Sequence, residues 1–349
     1  MSEHLTVTKK PLIGLSMEDL ELFVRSLGHQ SFRGRQLFDW IYRKNVYDYS
    51  EMSDLPISLR EKLSDVPLHP LKMVNNDVST SKQTQKYLFE LESGEKIESV
   101  LMVDGKRVTI CLSTQVGCAV DCDFCATGKM GFIKNLTAGE ILDQFLQLQK
   151  IIEKKITNVV FMGMGEPFLN YNNSILAADL LHHPKGINMG AWRITISTAG
   201  ITKKIKQFAN DAHPYKLAIS LNGSNQEQRL MTMPITKTQS FSELLEVSQY
   251  YTHRTRKRVT FEYVLMAGVN DDPIDAKNLK EILAHINCKL NLIPYNEING
   301  PYRRPSDTEI KLFISSLKNA SFPVTVRWSK GQDIDAGCGQ LATVSEVNK

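Results

Sequence analysis

No stretch of the chain comes near the roughly 20 consecutive apolar residues that a membrane-spanning helix requires, and runs such as Asn158 to Met162 meet polar residues within a few positions. No membrane is therefore expected among its surroundings. Cysteine is scarce, six in 349 residues, and the opening MSEHLTVTKK lacks the basic, apolar and small-residue order of a secretory signal. The expectation is a reducing, cytoplasmic setting in which the cysteines are thiols rather than a disulfide framework. An excess of either charge is missing too. The 42 Lys+Arg against 38 Asp+Glu leave a surplus of four, which permits nucleic acid as a partner without demanding it. No repeat of fixed period is present, and an ordinary content of 20 Gly and 13 Pro excludes collagen, coiled coil and extended disorder.

What is there is a chain long enough to bury one large core plus a small accessory domain. From Ser16 the segment SMEDLELFVRSLG has acids in its first turn, Leu20, Phe23, Val24 and Leu27 on one face, and Gly28 as a stop, the pattern of a capped amphipathic helix. Gly34 to Lys44 and Ser58 to Leu63 read as two more helices, so residues 1–70 are expected to form a small helical accessory domain. Lys86 to Glu90 and Lys96 to Met102 alternate around the turn SGE and predict a hairpin within a linking segment, 71–103. From 104 to 349 short β-branched runs alternate with helical stretches: VTICLS, NVVFMG, WRITIST, KLAISL, VTFEYV, KLNLIP and VTVRW. That rhythm implies βα units and a parallel sheet, hence an α/β fold whose core is a partial (β/α)6 TIM-like barrel, with functional residues just after the strand C-termini.

Four of the six cysteines crowd into CLSTQVGCAVDCDFCATGKMGF, as Cys111, Cys118, Cys122 and Cys125. The last three form C-x-x-x-C-x-x-C directly after the first barrel strand, a spacing that lets one loop wrap three thiolates around a soft metal centre. An iron–sulfur cluster so held keeps one iron free for a small molecule. Buried free thiols, or a zinc site completed by Cys111 or a distant residue, are the competing readings of this spacing, although structural zinc usually pairs two short-spaced ligand couples.

Other signals are weaker alone. MGMGEPFLN, Met162 to Asn170, is a Gly-rich turn after the second strand, and Ser197, Ser220, Leu221, Asn222 and Asn296 all follow β-type runs, where strand-end caps and Asx turns are common. Arg254, Arg256, Lys257 and Arg258, and Arg303 and Arg304 beside Tyr302, form basic clusters that suit phosphates or simply a solvated face. Arg33, Arg35, Arg43 and Lys44 near Trp40 and Tyr42 could likewise meet RNA, or the aromatics could be core. Cys338 in GQDIDAGCGQL, between Gly337 and Gly339, suits a thiol that is approached closely, whereas Cys288 in HINCKL matches no motif and reads as a small buried hydrophobe.

The cysteine motif after the first strand resembles the radical S-adenosylmethionine (SAM) superfamily. With IESVLM, CLSTQVGC, MGMGEP, LIPYN and DIDAGCGQL added, the chain resembles along nearly its whole length the RlmN/Cfr family of RNA adenine methyltransferases. The resemblance implies a [4Fe–4S] cluster on Cys118, Cys122 and Cys125 with an open iron for SAM, and two SAM per turnover. It implies SAM contacts at Gly165, Glu166, Ser197, Ser220, Leu221, Asn222 and Asn296. Cys338 corresponds to the cysteine that is methylated, Cys111 to the one that resolves a covalent protein–RNA adduct through a transient disulfide, and Glu98 to the proton acceptor. The implied function is methylation of adenosine C2 in 23S rRNA and tRNA by a monomer served by a reductase or flavodoxin-type electron donor. Methylation at C8, as in the Cfr-type kin, and a zinc-bound RNA-binding protein are the alternatives. Asn222 stands where the family commonly has histidine, which puts that SAM contact in doubt.

Overall fold

The computed structural model describes residues 10–343. Among them are twelve strands: β1 (Leu71–Val78), β2 (Thr84–Leu91), β3 (Lys96–Asp104), β4 (Arg107–Cys111), β5 (Gln115–Gly117), β6 (Phe132–Asn135), β7 (Asn158–Phe161), β8 (Ile194–Thr198), β9 (Lys216–Ser220), β10 (Val259–Leu265), β11 (Cys288–Pro294) and β12 (Val324–Val326). Ten form one sheet in the order β1-β2-β3-β4-β7-β8-β9-β10-β11-β12. The first four are antiparallel neighbours, and from β4 onward every neighbour is parallel, which requires crossover connections. Helices supply them, including Ala138–Ile151, Tyr171–His182, Thr202–Asn210, Phe241–Thr255, Pro273–Leu283 and Asp307–Ser316. The expected α/β partial barrel is thus present, with β12 as a short seventh parallel strand.

The sheet curls, because side chains from β3 and β4 line the same cavity as side chains from β11 and β12. The segment after β12 crosses the remaining gap. Lys330 pairs with Asp104 at 3.2 Å, and the Asp333 carboxylate accepts from the Thr80 amide at 2.7 Å and its hydroxyl at 2.8 Å.

The helix expected after Ser16 is there as Met17–Ser26, closed by a capping box in which Ser16 Oγ accepts from the Asp19 amide at 3.1 Å. The one expected over Gly34 to Lys44 is an α-helix, Phe32–Phe38, running into a π-helical turn, Asp39–Arg43. These helices and Ile57–Leu63 bury Leu20, Val24, Leu37, Ile41 and Leu59 in one continuous core with Leu142, Leu146 and the sheet. Contact between the two parts is close enough to need glycine, since a Cβ on Gly139 would lie 2.2 Å from the Ile13 carbonyl oxygen.

Two differences from the sequence reading concern strands. Residues 71–103 hold three antiparallel strands rather than a two-stranded hairpin, because β1 is an edge strand, LKMVNNDV, exposed at nearly every position and so without an alternating apolar face. β5 and β6 pair as a separate ribbon that brackets the cysteine loop.

Candidate active site

Cys118, Cys122 and Cys125 lie on the loop between β5 and β6. The ribbon fixes its start, with the Cys118 amide donating to the Gly131 carbonyl at 2.9 Å, and a turn fixes its end, with the Cys125 amide donating to the Cys122 carbonyl at 3.1 Å. Burial pushes the Cys118 thiol up to about 12 and raises Cys122 and Cys125 as well, and the negative charge each would carry opposes ionisation of its neighbours. The three thiols lie on one loop, where a bound metal centre would replace their protons. Among the described residues no three His, Cys, Asp or Glu side chains enclose a single metal ion. Three thiolates on one loop can each take a separate corner of a four-iron cube, which leaves the fourth iron without a protein ligand.

Around this loop the ends of β7, β8 and β9 are tied together by groups inside the protein. Glu166 is buried, and its carboxylate accepts from the Phe168 amide at 2.9 Å and the Ala199 amide at 2.6 Å. Burial raises its pKa to about 7. Gly165, at φ +95°, packs against Gln115, whose side-chain oxygen accepts from the Glu166 amide at 2.8 Å. Arg229 is fully buried behind the loop and donates to the carbonyls of Ala199, Ser220 and, at 2.7 Å, Leu221. Asn222 sits at φ +53°, a conformation asparagine tolerates, and is spent internally, with its Oδ1 accepting from the Val264 amide at 2.8 Å. Its side chain braces β9 against β10, which accounts for asparagine at this position. Ser197 lies on β8 within the same row of strand ends. Val120, Ala199 and Met233 form an apolar wall beside Cys118, Cys122 and Phe124.

Cys111, at the end of β4, and Cys338 both line a cavity of about 650 Å³ inside the barrel, together with Cys125. Both are free thiols. Burial, with Cys338 nearby, pushes Cys111 up to about 12, and Arg327 opposes that shift. Arg327 faces Cys338, Glu262 and Cys111, and its guanidinium makes only long contacts, 3.5 Å to the Met162 sulfur and 4.0 Å to that of Met102. The Cys338 segment is clamped onto the cysteine loop: the Ala126 amide donates to the Gly339 carbonyl at 2.7 Å, and Thr127 to the Leu341 carbonyl. Asn296 joins that clamp instead of standing free, donating to the Cys338 carbonyl at 3.0 Å and accepting from Gln332 at 2.7 Å.

Glu98 does not line the cavity, but it lies on β3 two positions from Val100, which does and which pairs with Cys111. Its carboxylate meets Lys86 at 3.2 Å and accepts from the Ala342 amide at 3.0 Å. Burial raises its pKa, against the pull of Lys86. Cys288 is buried at the start of β11, as its bland sequence context suggests. Arg229, Glu262 and Arg327 are the site residues that sequence reading passes over. Glu262 and Arg327 leave a trace, each as a charge within a β-type run, VTFEYV and VTVRW.

Residues 112–277 match the family model of the radical SAM superfamily, and residues 10–67 that of the ribosomal RNA large subunit methyltransferase N-terminal domain. A Thermotoga maritima protein described as a probable dual-specificity RNA methyltransferase RlmN is 44% identical over 333 residues, 95% of this chain and 97% of its own. A Synechocystis protein of the same description is 41% identical over 95% of this chain and 94% of its own. The crystal structure of a radical SAM methyltransferase from Sphaerobacter thermophilus superposes with a TM-score of 0.92 at 41% identity, covering 95% of this chain and 99% of that one. With its cysteine loop, its curled parallel sheet and these relatives, the chain belongs to the RlmN family of radical SAM RNA methyltransferases, and a [4Fe–4S] cluster and SAM are its cofactors.

Proposed function

We propose that this enzyme methylates C2 of adenosine in 23S rRNA and in tRNA, through a methylated cysteine and a covalent protein–RNA intermediate. The observation that carries the reading is the meeting of Cys111 and Cys338 on one cavity beside Cys125, because radical SAM chemistry in general has no use for two thiols beyond the cluster ligands.

Adenine C2 is an electron-poor carbon between two ring nitrogens and does not attack the SAM methyl group itself. Cys338 accepts that methyl first, its sulfur displacing it in line from one SAM, with the Arg327 cation facing the thiolate. Cys118, Cys122 and Cys125 would hold the cluster, which would supply the electron for cleaving the sulfonium of a second SAM and with it the means of abstracting hydrogen from the S-methyl group. The resulting methylene radical adds to C2 of the RNA and so joins it to Cys338, and the adduct gives back the one electron spent on the sulfonium. Glu98 takes the C2 proton, a task favoured by a carboxylate that burial makes more basic than usual. Cys111 attacks the Cys338 sulfur, the carbon–sulfur bond breaks with its electron pair passing to the methylene, which takes a proton to become the methyl group, and the RNA is freed as a disulfide is left behind. Glu166, Ser197, Ser220, Leu221, Asn222 and Asn296 shape the SAM pocket, Glu166 and Asn222 by bracing strand ends and Asn296 by holding the Cys338 loop. Reducing power for the cluster and the disulfide fits a cytoplasmic setting with a flavodoxin-type donor or reductase.

Mass spectrometry of ribosomal and transfer RNA from cells with and without the gene tests the assignment. The expected result is 2-methyladenosine that disappears with the gene; 8-methyladenosine in its place would move the enzyme to the Cfr-type reaction.

A further inference from the structure

Every turnover of the proposed cycle ends with Cys111 and Cys338 joined, and the disulfide sits inside the barrel. The inward positions of a parallel barrel usually carry branched apolar side chains that fill its interior. Here the first inward positions of β4, β9 and β11 are Arg107, Lys216 and Lys289, with Thr195 beside Lys216 and Thr260 beside Lys289 in register. All five line the same cavity as Cys111 and Cys338. Parallel strands begin at one end of the barrel and finish at the other, so these side chains form a floor opposite the cysteine loop.

The floor carries an excess of positive charge. Besides burial, Arg107 and Lys289 hold the Lys216 pKa below its usual value, so the three cations are near enough to repel one another. Among the described residues none of the three makes an ion pair, and two carboxylates line the cavity with them: Asp104, which pairs with Lys330 at 3.2 Å, and Glu262, which accepts from Asn291 at 2.6 Å and lies in the field of Lys289 and Arg327. Arg107 and Lys216 are exposed, which opens the floor to solvent. Convergent like charges at the mouth of a cavity concentrate anions and raise their on-rates.

We infer that the barrel floor is the entrance for an anionic thiol, a small carboxylate-bearing reductant, that resets the Cys111–Cys338 disulfide from the end opposite the cysteine loop. The inference rests on the covalent-adduct reading of those two residues. One thiolate attacks a sulfur of the pair, the S–S bond breaks, a mixed disulfide forms and the displaced cysteine takes a proton. A second thiolate attacks the reductant's sulfur in that mixed disulfide and releases the other cysteine. Two thiols are oxidised to one disulfide, and two electrons and two protons pass to the protein.

The test uses cluster-loaded enzyme in which the pair has been oxidised by turnover or by diamide, and follows the return of the two thiols with glutathione, which is anionic, and with neutral 2-mercaptoethanol. In the Lys216→Glu/Lys289→Glu double variant the glutathione rate constant should fall about tenfold or more while the 2-mercaptoethanol rate stays within about twofold. Lys216→Arg should keep the glutathione rate, and added salt should shrink the wild-type preference. An unchanged glutathione rate in the double variant, or equal loss with both thiols, overturns the inference. If turnover itself leaves no disulfide, the covalent-adduct reading fails instead, and the diamide-oxidised enzyme still reports on the floor.

Discussion

Cys111 is a buried thiol whose neighbours are Cys338 and Arg327, and its replacement is the test that separates the proposed covalent-adduct route from direct methyl transfer. Replacing it by alanine leaves Cys338 and the cluster ligands in place but removes the nucleophile that frees the RNA. Cys111→Ala purified from cells should carry RNA attached to Cys338 that survives denaturation and is lost on nuclease digestion, and Cys111→Ala/Cys338→Ala should carry none. RNA-free Cys111→Ala from cells in which wild type is active would return Cys111 to a strand-end thiol. Glu166 gives a second prediction, about stability. Burial raises its pKa from 4.5 to about 7 in the folded protein, so the folded state holds a proton that the unfolded chain gives up near 4.5. Stability is therefore lost as pH rises from about 4.5 through 7, by on the order of 2–3 kcal/mol for this group. Urea unfolding of cluster-free protein between pH 5 and 8 should show that decline, and Glu166→Gln should flatten it even though the amide also weakens one of the two backbone hydrogen bonds.

At the level of elements, the helix Ala138–Ile151 joins the N-terminal helices to the barrel through the close approach of Gly139 to Ile13. A methyl group there has no room against backbone, so Gly139→Ala should destabilise by about 1–3 kcal/mol despite alanine's better helix propensity. Limited proteolysis should then cut within residues 17–63 before the barrel. If Gly139→Ala is as stable as wild type, the packing of the two parts is looser than this contact requires. Elements with a clear periodic face were legible in the sequence: the helix after Ser16, the strand β4 and the strands from β7 to β12 stand where their apolar patterns put them. β1 was not, because an exposed edge strand has no face to betray it, and the ribbon of β5 and β6 was not, because strands of three and four residues are too short for a pattern.

Over the whole molecule, the cysteine loop and the C-terminal segment, more than 200 residues apart in the chain, are joined by hydrogen bonds from the Ala126 amide to the Gly339 carbonyl and from the Thr127 hydroxyl to the Leu341 carbonyl, and the Ala342 amide donates to the Glu98 carboxylate on β3. Loading the cluster should thus order the segment bearing Cys338. Hydrogen exchange at 336–342 is expected to slow at least severalfold between cluster-free and loaded protein, with the β1–β2 edge unchanged. Equal exchange in both forms would show that the loop and the segment are independent. Cys118→Ala, Cys122→Ala or Cys125→Ala should each lose the iron and all RNA methylation, measured by iron content and by mass spectrometry of the RNA, since two thiolates on this loop leave the cube short of a ligand.

The sequence by itself determined the fold class, because strand and helix periodicity are local properties of the chain, and it pointed to Cys118, Cys122 and Cys125 as candidate cluster ligands, because their spacing is a local motif that resembles the radical SAM one. Only the tertiary structure decided that Asn222 and Asn296 serve the protein's own backbone, that Arg229 lies behind the cysteine loop, and that Arg107, Lys216, Lys289 and Arg327 share one lumen with Cys111 and Cys338. Those relations join residues from distant strands, and they exist only once the sheet has curled and the segment after β12 has closed it.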